Sequence, residues 1–171
     1  MNYEAETGER RWLLKAIRES AGELFGAFSG LDEGGLRWRP ADDEWCLKEV
    51  IAHLRDSDQL RRQQIELIAN HREPLLPDEA LDILPAERNY RDQRLSRLLN
   101  EYEAEREELF WTLRMMSTSD WDRTGIHPYR GPLSIHAIVR DIHEHDLEHL
   151  YQARRLHEAA RSALAASRSH R

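Results

Sequence analysis

Four long segments of this 171-residue chain repeat apolar residues at the spacing of an amphipathic α-helix, and this pattern restricts the fold more than any other feature of the sequence. The four predicted helices span about residues 6–28, 46–71, 88–116 and 134–160. Glycine, proline and aspartate interrupt the chain between them, and no intervening segment has the alternating pattern of a strand. The sequence therefore predicts an all-α four-helix bundle that forms a single domain over residues 1–171. The tail, about residues 161–171, is small and polar and is expected to be disordered.

The composition excludes several classes of function. The chain has 25 basic and 32 acidic residues, a formal net charge of −7, which argues against general nucleic-acid binding. No apolar run approaches the roughly 20 residues of a membrane-spanning helix, and the first residues lack the pattern of a signal peptide. Cys46 is the single cysteine, so no disulfide can form within the chain. We expect a cytoplasmic protein without nucleic-acid or membrane partners.

Two pairs of adjacent arginines stand out in this acidic chain, Arg61–Arg62 and Arg154–Arg155. Each pair could form a local anion site. Ion pairs with nearby acids on a solvated helix face also explain such pairs, and the sequence alone favours that interpretation.

His145 and His149, four residues apart in the fourth predicted helix, are candidate metal ligands. On a helix this spacing places both imidazoles on one face, one turn apart, where they can bind a single ion. Both fall within an apolar stripe, so they should point into the bundle, where imidazoles without partners would be costly. His143 is two residues from His145 and points to another face. The stripe consists of Ile135, Ile138, Val139, Ile142, Leu150, Ala153 and Leu156.

A third ligand has to come from another helix, and His53 is the best candidate. It follows Val50 by about one turn in the second predicted helix and therefore lies at the edge of that helix's buried stripe. If the second and fourth helices are neighbours, His53 faces the His145/His149 pair across the core. Three imidazoles would leave a coordination position open to water or substrate, as in reactive rather than structural zinc sites.

Three further polar residues have spacings that permit contact with these ligands. Metal-bound imidazoles usually donate their other N–H to an acceptor. The candidate acceptors lie three or four residues from a histidine of the same helix: Asp56, Asp141 and Gln152. This spacing places two side chains on one face of a helix, although solvent-facing ion pairs use the same spacing.

Two other kinds of metal site compete with a three-histidine centre. Residues 145–149 match the H-x-x-E-H motif of inverted zinc peptidases, in which Glu148 would be the general base. Only about 20 residues follow the motif and no strand that could align a peptide is predicted, so a zinc peptidase is a remote alternative. A ferritin-like di-iron site needs Glu-x-x-His pairs, and none occurs in the sequence.

Two stretches of the chain resemble the DinB-like (DinB/YfiT) family of metal-binding four-helix bundles. The stretch that leads into the second helix contains Trp38, Pro40, Trp45 and the His53–Leu54 pair. The stretch in the fourth helix contains His145, Asp146, His149 and Gln152. Their order and spacing, together with the four helices, extend the resemblance over about residues 6–160. The two tryptophans are expected to pack as a lid over the end of the bundle.

One position departs from the family pattern, because members usually carry Trp-Ser where this chain has Trp45-Cys46. In the family the serine caps the second helix. A thiol at a helix N-terminus could have a lowered pKa and react. A tolerated replacement of serine is the favoured interpretation, with Glu49 at the position of a capping-box glutamate.

The resemblance implies that His53, His145 and His149 jointly bind a divalent metal ion, typically nickel or zinc, and that the protein forms a homodimer. Some members look like transferases or isomerases that act with low-molecular-weight thiols such as bacillithiol or mycothiol. The expected function is therefore that of a metal-dependent thiol transferase or hydrolase, with a small thiol or an electrophile as partner. A non-catalytic metal-binding or stress-related bundle is the alternative.

Overall fold

Four long α-helices form the bundle in the computed structural model, which describes the backbone of residues 3–169 and the side chains of residues 8–167. The predicted fold class is confirmed. The long helices are α1 (Tyr3–Gly26), α3 (Leu47–Asn70), α5 (Leu95–Met115) and α6 (Ile135–Ser169). The connections contain two one-turn helices, α2 (Glu33–Leu36) and α4 (Leu84–Glu87), and two 3-10 turns, Tyr90–Asp92 and Ser119–Asp122. None of the described helices combines the length and the apolar character needed to cross a membrane.

The order of the helices around the bundle determines which faces meet. Helix α3 packs mainly against α5 and α6, and α1 packs against the same two helices, so α1 lies diagonally across from α3. Helices α5 and α6 are also diagonal to each other. Long connections therefore cross the ends of the bundle, residues 27–46 from α1 to α3 and residues 116–134 from α5 to α6. Helices α3 and α6 are therefore neighbours, which is the condition for the predicted histidine cluster.

Local sequence signals fix where α3 and α6 begin. Before α3, the carboxylate of Glu49 accepts a hydrogen bond from the backbone N–H of Cys46 at 2.8 Å. Before α6, the hydroxyl of Ser134 accepts a hydrogen bond from the backbone N–H of Ala137 at 3.1 Å, so Ser134 is the N-cap. These capping bonds satisfy backbone donors that the first helical turn leaves free. The two histidine-bearing helices consequently start at defined residues.

Two helix boundaries differ from the predicted ones. Helix α6 continues through Ser169, so the disorder expected from residue 161 is wrong for residues 161–169, and residues 170–171 lie outside the described residues. The alanines of this segment favour helix. Leu164 also packs closely against α2, since a Cβ atom added at Gly35 would lie 3.1 Å from the Leu164 side chain. Helix α5 begins at Leu95 rather than near residue 88, because Asn89 adopts a left-handed conformation with a φ of 54°.

The sequence pattern does not predict the β-hairpin that precedes α6. Strand β1 (Thr124–His127) pairs antiparallel with β2 (Gly131–Ser134), and Gly131 supplies the positive φ of 73° at the turn. Ile126 also forms a parallel bridge with Leu75. Strands of four residues are too short to show alternation, and the bridge depends on a segment about 50 residues earlier in the chain.

Two apolar clusters fill the bundle, and a layer of buried polar residues separates them. One cluster includes Leu24, Leu54, Tyr102 and Leu150. The other includes Ile17, Ile65, Leu109 and Ile142. Each long helix contributes residues to both clusters and has a buried polar residue between the two sets. These four residues are Ser20, Asp58, Arg106 and Asp146.

Candidate metal centre

The imidazoles of His53, His145 and His149 meet where α3 packs against α6. The Nε2 atom of His145 lies 3.0 Å from Nε2 of His53 and 3.0 Å from Nε2 of His149. All three ligand atoms lie within 4.8 Å of one another. His53 and His149 are buried and His145 is partly exposed, so the cluster lies at the edge of the core. The structure brings together the three histidines that the sequence singles out.

The spacing of the nitrogen atoms fits a metal ion. Two nitrogens that bind one ion at about 2.1 Å each are roughly 3.0–3.4 Å apart, depending on the angle between the bonds. Mutual hydrogen bonding accounts less well for the contacts, because Nε2 of His145 has either a proton or a lone pair and has to face two nitrogens at 3.0 Å. The three histidines could therefore hold a divalent metal ion.

Gln152 determines which nitrogen of His149 is available. The side-chain oxygen of Gln152 lies 2.7 Å from Nδ1 of His149, and an oxygen of this kind can only accept. Nδ1 of His149 therefore has the proton, and Nε2 has a lone pair directed at the other two histidines. This is the contact that the spacing of three residues predicts, and it holds the imidazole in the tautomer that a metal ligand needs.

Burial keeps two of the imidazoles neutral. It lowers the pKa of His53 to about 4, with a further contribution from His149. It lowers the pKa of His145 to about 3, and the neighbouring His149 and His53 lower it further. The neutral imidazole is the form that binds metal, so at neutral pH little free energy would be needed to remove protons before an ion binds.

Trp45 covers the cluster from the start of α3. Its ring centroid lies 4.7 Å from that of His53. The indole also stacks on His149, with the centroids 6.0 Å apart and the planes 13° from parallel. Because Trp45 directly precedes the N-cap of α3, the beginning of that helix places the indole over the imidazoles. The predicted lid residue is thus a direct neighbour of the site, where it excludes water and lowers the local polarity.

Asp56 is not a hydrogen-bond partner of His53, so this expectation is wrong. Its carboxylate accepts hydrogen bonds from Tyr90 and from Arg88, both outside α3. Nδ1 of His53 is buried and makes no hydrogen bond within the chain segment that the structure describes. The spacing of three residues on α3 does not bring the two side chains together, because Asp56 turns towards the connection before α5.

Two acidic residues of α6 make no hydrogen bond to the cluster. Asp141 pairs with Arg130 in the turn of the hairpin, so its expected contact with His145 is wrong. Glu148 is exposed and has no hydrogen bond or ion pair among the described residues. It is therefore not held in the position that the general base of an H-x-x-E-H peptidase would occupy.

Cys46 is a buried structural residue rather than a reactive thiol. Its side chain is fully buried at the beginning of α3. Burial raises the pKa of the thiol to about 11, although the backbone N–H of Glu49 acts in the opposite direction. The thiol is therefore protonated at neutral pH, which agrees with a tolerated replacement of serine.

Arg106 connects the polar layer of the core, a role that was not predicted from the sequence. Its guanidinium donates to both oxygens of Asp58, at 2.8 and 3.1 Å, and to both oxygens of Asp146, at 2.6 and 2.8 Å. It also donates to the hydroxyl of Tyr102 at 3.0 Å and to the backbone carbonyl of Ile17 at 3.1 Å. One side chain thus joins α1, α3, α5 and α6.

The polar layer fixes the rotation of α6 beside the three-histidine cluster. Asp146 directly follows His145, is fully buried, and accepts a hydrogen bond from Ser20 at 2.5 Å in addition to those from Arg106. A helix whose aspartate is bound from two other helices cannot turn about its axis without breaking those bonds. The direction of the imidazoles of His145 and His149 is therefore set by the core as well as by their own helix.

The protein is a four-helix bundle with a three-histidine cluster that could hold a metal ion. The model of the DinB superfamily matches residues 16–153. This chain belongs to the DinB superfamily.

Two similar proteins come from Bacillus subtilis. The uncharacterized protein YuaE is 21% identical over 157 residues, which are 85% of this chain and 97% of YuaE. The solved structure of YfiT superimposes with a TM-score of 0.81 at 15% identity, covering 88% of this chain and 86% of YfiT. YfiT is described as a probable metal-dependent hydrolase with an unusual four-helix bundle topology. At this identity the likeness to YfiT establishes the fold.

Proposed function

We propose that this protein is a metal-dependent enzyme in which His53, His145 and His149 hold a divalent ion, nickel or zinc, that activates a small nucleophile. The nucleophile is water in a hydrolase or a low-molecular-weight thiol of the bacillithiol or mycothiol type in a transferase. The convergence of three imidazoles is the observation that supports this function, with Nε2 of His145 lying 3.0 Å from Nε2 of each of the other two. The description of YfiT as a probable metal-dependent hydrolase points in the same direction.

The residues around the proposed centre have separable tasks. When bound, a divalent ion supplies a Lewis acid that lowers the pKa of a water or thiol at an open position. Gln152 holds the proton on Nδ1 of His149 and keeps its Nε2 free. Trp45 excludes water from one side of the imidazoles. The partly exposed His145 marks the side from which a substrate can approach.

A non-catalytic metal-binding bundle is the competing function, and the number of ligands argues against it. Structural zinc sites are closed by four protein ligands. Among the residues that the structure describes, the cluster of candidate ligands consists of three histidines. A three-histidine set leaves room for an exchangeable ligand, which catalysis needs and storage or structural support does not.

Metal analysis of the protein purified without a histidine tag tests the proposal. Wild type should contain about one divalent ion per chain, and His53→Ala, His145→Ala and His149→Ala should each lose most of it. His143→Ala is the matched control, because His143 lies on α6 two residues before His145 but contacts Trp12 rather than the cluster. Wild type without stoichiometric metal, or equal loss in His143→Ala, would refute the proposed centre.

Activity assays then separate the two nucleophiles. The metal-loaded protein is offered electrophilic substrates with and without a low-molecular-weight thiol, and ester or amide substrates in water alone. Turnover that needs both metal and thiol identifies a transferase, whereas turnover in water alone identifies a hydrolase. A metal-loaded protein that is inactive in both assays would favour the non-catalytic function.

We also propose, from the family resemblance, that the protein is a homodimer. Helix α5 exposes Trp111 and Met115 one turn apart, with 55% and 80% of their surfaces accessible, and exposed apolar side chains of this size favour association. Light scattering after gel filtration should give about twice the chain mass of 20.2 kDa. Trp111→Glu should shift the mass towards one chain, and a monomeric wild type would refute the proposal.

A further inference from the structure

Arg61 occupies an inward position on α3, beyond the metal centre. It lies seven residues after Leu54 and seven before Ile68, both of which are fully buried, and seven residues are almost two helical turns. The three side chains therefore share one face of the helix. Arg61 also follows His53 by eight residues, or about 12 Å along the helix axis. A charged side chain thus stands within the apolar stripe of the helix that provides one of the candidate ligands.

Arg61 is half-buried and has no hydrogen bond or ion pair among the described residues. Every other half-buried or buried arginine in that part of the chain has at least one such partner. The adjacent Arg62 is an example, because it pairs with Glu66 and Glu105. The lack of a partner is therefore specific to Arg61.

Three acidic residues act on Arg61 through their charge: Asp58, Asp78 and Asp141. Asp58 and Asp141 are paired with other arginines, Arg106 and Arg130, respectively. Asp78 is exposed and lies 3.7 Å from His127. Because Arg61 is half-buried, its charge is only partly solvated, and this burial lowers the pKa of the guanidinium. None of the guanidinium nitrogens is fully enclosed without a partner, so a ligand can reach them.

Arg61 and His53 belong to the same helix, about two turns apart. This helix packs against α6, which carries His145 and His149. We propose that Arg61 binds a carboxylate group of the substrate and holds the rest of that molecule against the three histidines. This inference rests on the proposed function, since it assigns a substrate class to the same site.

A carboxylate fits the free guanidinium better than a neutral group does. The planar fork of an arginine donates two parallel hydrogen bonds to a carboxylate, and such charge-assisted pairs are the strong ones. The bound anion would also neutralise a half-buried cation that forms no ion pair with any of the described residues. With about 12 Å of helix between His53 and Arg61, the substrate is a small molecule whose carboxylate is a few bonds from its reacting group.

Isothermal titration of the metal-free protein tests the inference, because a bound ion would itself attract carboxylates. Succinate is titrated against neutral succinamide, which has the same shape without the charges. Succinate should bind wild type, and Arg61→Gln should weaken that binding about 10- to 100-fold, the loss expected for hydrogen bonds between charged groups. Arg61→Lys should retain an intermediate affinity. Arg62→Gln is the matched control and should bind as wild type does.

Several outcomes would overturn the inference. Succinate binding that is no better than succinamide binding, or equal in wild type and Arg61→Gln, would do so. Tighter binding of inorganic phosphate than of succinate would show that Arg61 recognises a phosphate group rather than a carboxylate. If circular dichroism shows that Arg61→Gln does not fold, Arg61→Lys decides, because unchanged succinate affinity in that variant contradicts a bidentate pair. Metal content is measured separately, so a failure of the metal centre is distinguishable from a failure of anion binding.

Discussion

Replacing Arg106 by methionine should destabilise the protein far more than replacing any surface arginine. Methionine keeps much of the volume of the arginine stem but removes the guanidinium that binds Asp58, Asp146, Tyr102 and a backbone carbonyl. Two buried carboxylates then face each other without a cation. Removing one partner of a buried ion pair costs about 3–5 kcal/mol of unfolding free energy. This is a large fraction of the roughly 5–15 kcal/mol that stabilises a typical domain.

The measurement is urea unfolding followed by far-UV circular dichroism, with thermal unfolding as a second assay. For a domain of this size, about 3–5 kcal/mol corresponds to a decrease in Tm of roughly 6–20 °C. Arg62→Met is the control, because Arg62 is more exposed and its pairs with glutamates should be worth about 0–1 kcal/mol. The triple variant Arg106→Met/Asp58→Asn/Asp146→Asn should regain part of the loss, since it removes the uncompensated charges.

The loss of stability in Arg106→Met should also depend on pH. Burial raises the pKa of Asp58 to about 7 although Arg106 lowers it, so removal of Arg106 raises this pKa further. A carboxyl group with a raised pKa in the folded state stabilises the protein below its unfolded pKa, and that stability is lost as the pH rises through the folded pKa. The deficit of Arg106→Met should therefore be larger at about pH 8 than at about pH 6. A deficit below about 1 kcal/mol, equal to that of Arg62→Met, would refute the role of Arg106 as the connection between the helices.

Three further predictions concern the metal centre and the cysteine. Gln152→Leu should weaken metal binding about 10- to 100-fold in a chelator competition assay, because His149 loses the acceptor that fixes its tautomer; an unchanged affinity would contradict this role. Removing the metal with a chelator should lower Tm, and adding back an ion at about 100 times its Kd should increase the free energy of unfolding by roughly 2.7 kcal/mol. A Tm that does not respond to metal would argue against the proposed metal centre. Cys46 should react with a thiol reagent at about pH 8 only as fast as the protein unfolds, because its pKa of about 11 and its burial keep it protonated and enclosed; rapid labelling of the native protein would contradict its burial.

The histidine cluster could be predicted because its main contact is local. His145 and His149 share a helix face by spacing alone, and the apolar stripe shows which way that face points. Adding His53 needed one fact about packing, that α3 and α6 are neighbours, and the family resemblance supplied it. Gln152 and Asp56 each follow a histidine by three residues, yet only Gln152 contacts one. Spacing along a helix sets the face of a side chain, but the neighbouring elements decide its partner.

The polar layer had a signal that periodicity could have revealed. Asp58, Arg106 and Asp146 each occupy a position of an apolar stripe, between buried residues of the same helix. A charged residue at such a position indicates a buried partner of opposite charge, since an isolated buried charge is very costly. Arg61 also stands in an apolar stripe, but the sequence cannot distinguish it from Arg62. Whether an arginine has an ion-pair partner depends on which acidic side chains the fold has already paired with other residues.

The polar layer and the three-histidine cluster occupy adjoining positions of the bundle, which offers a reason for buried charges in this core. An apolar layer of the same volume would be at least as stable as the ion pairs, so stability alone does not account for Arg106. Hydrogen bonds have directions that apolar contacts lack, and those between Arg106, Asp146 and Ser20 permit a single rotation of α6. His145 precedes Asp146 directly, so a rotation of α6 that broke these bonds would also turn its imidazole away from His53. The buried charges therefore position the histidines, and a substitution in the layer should disturb metal binding before it disturbs the helices.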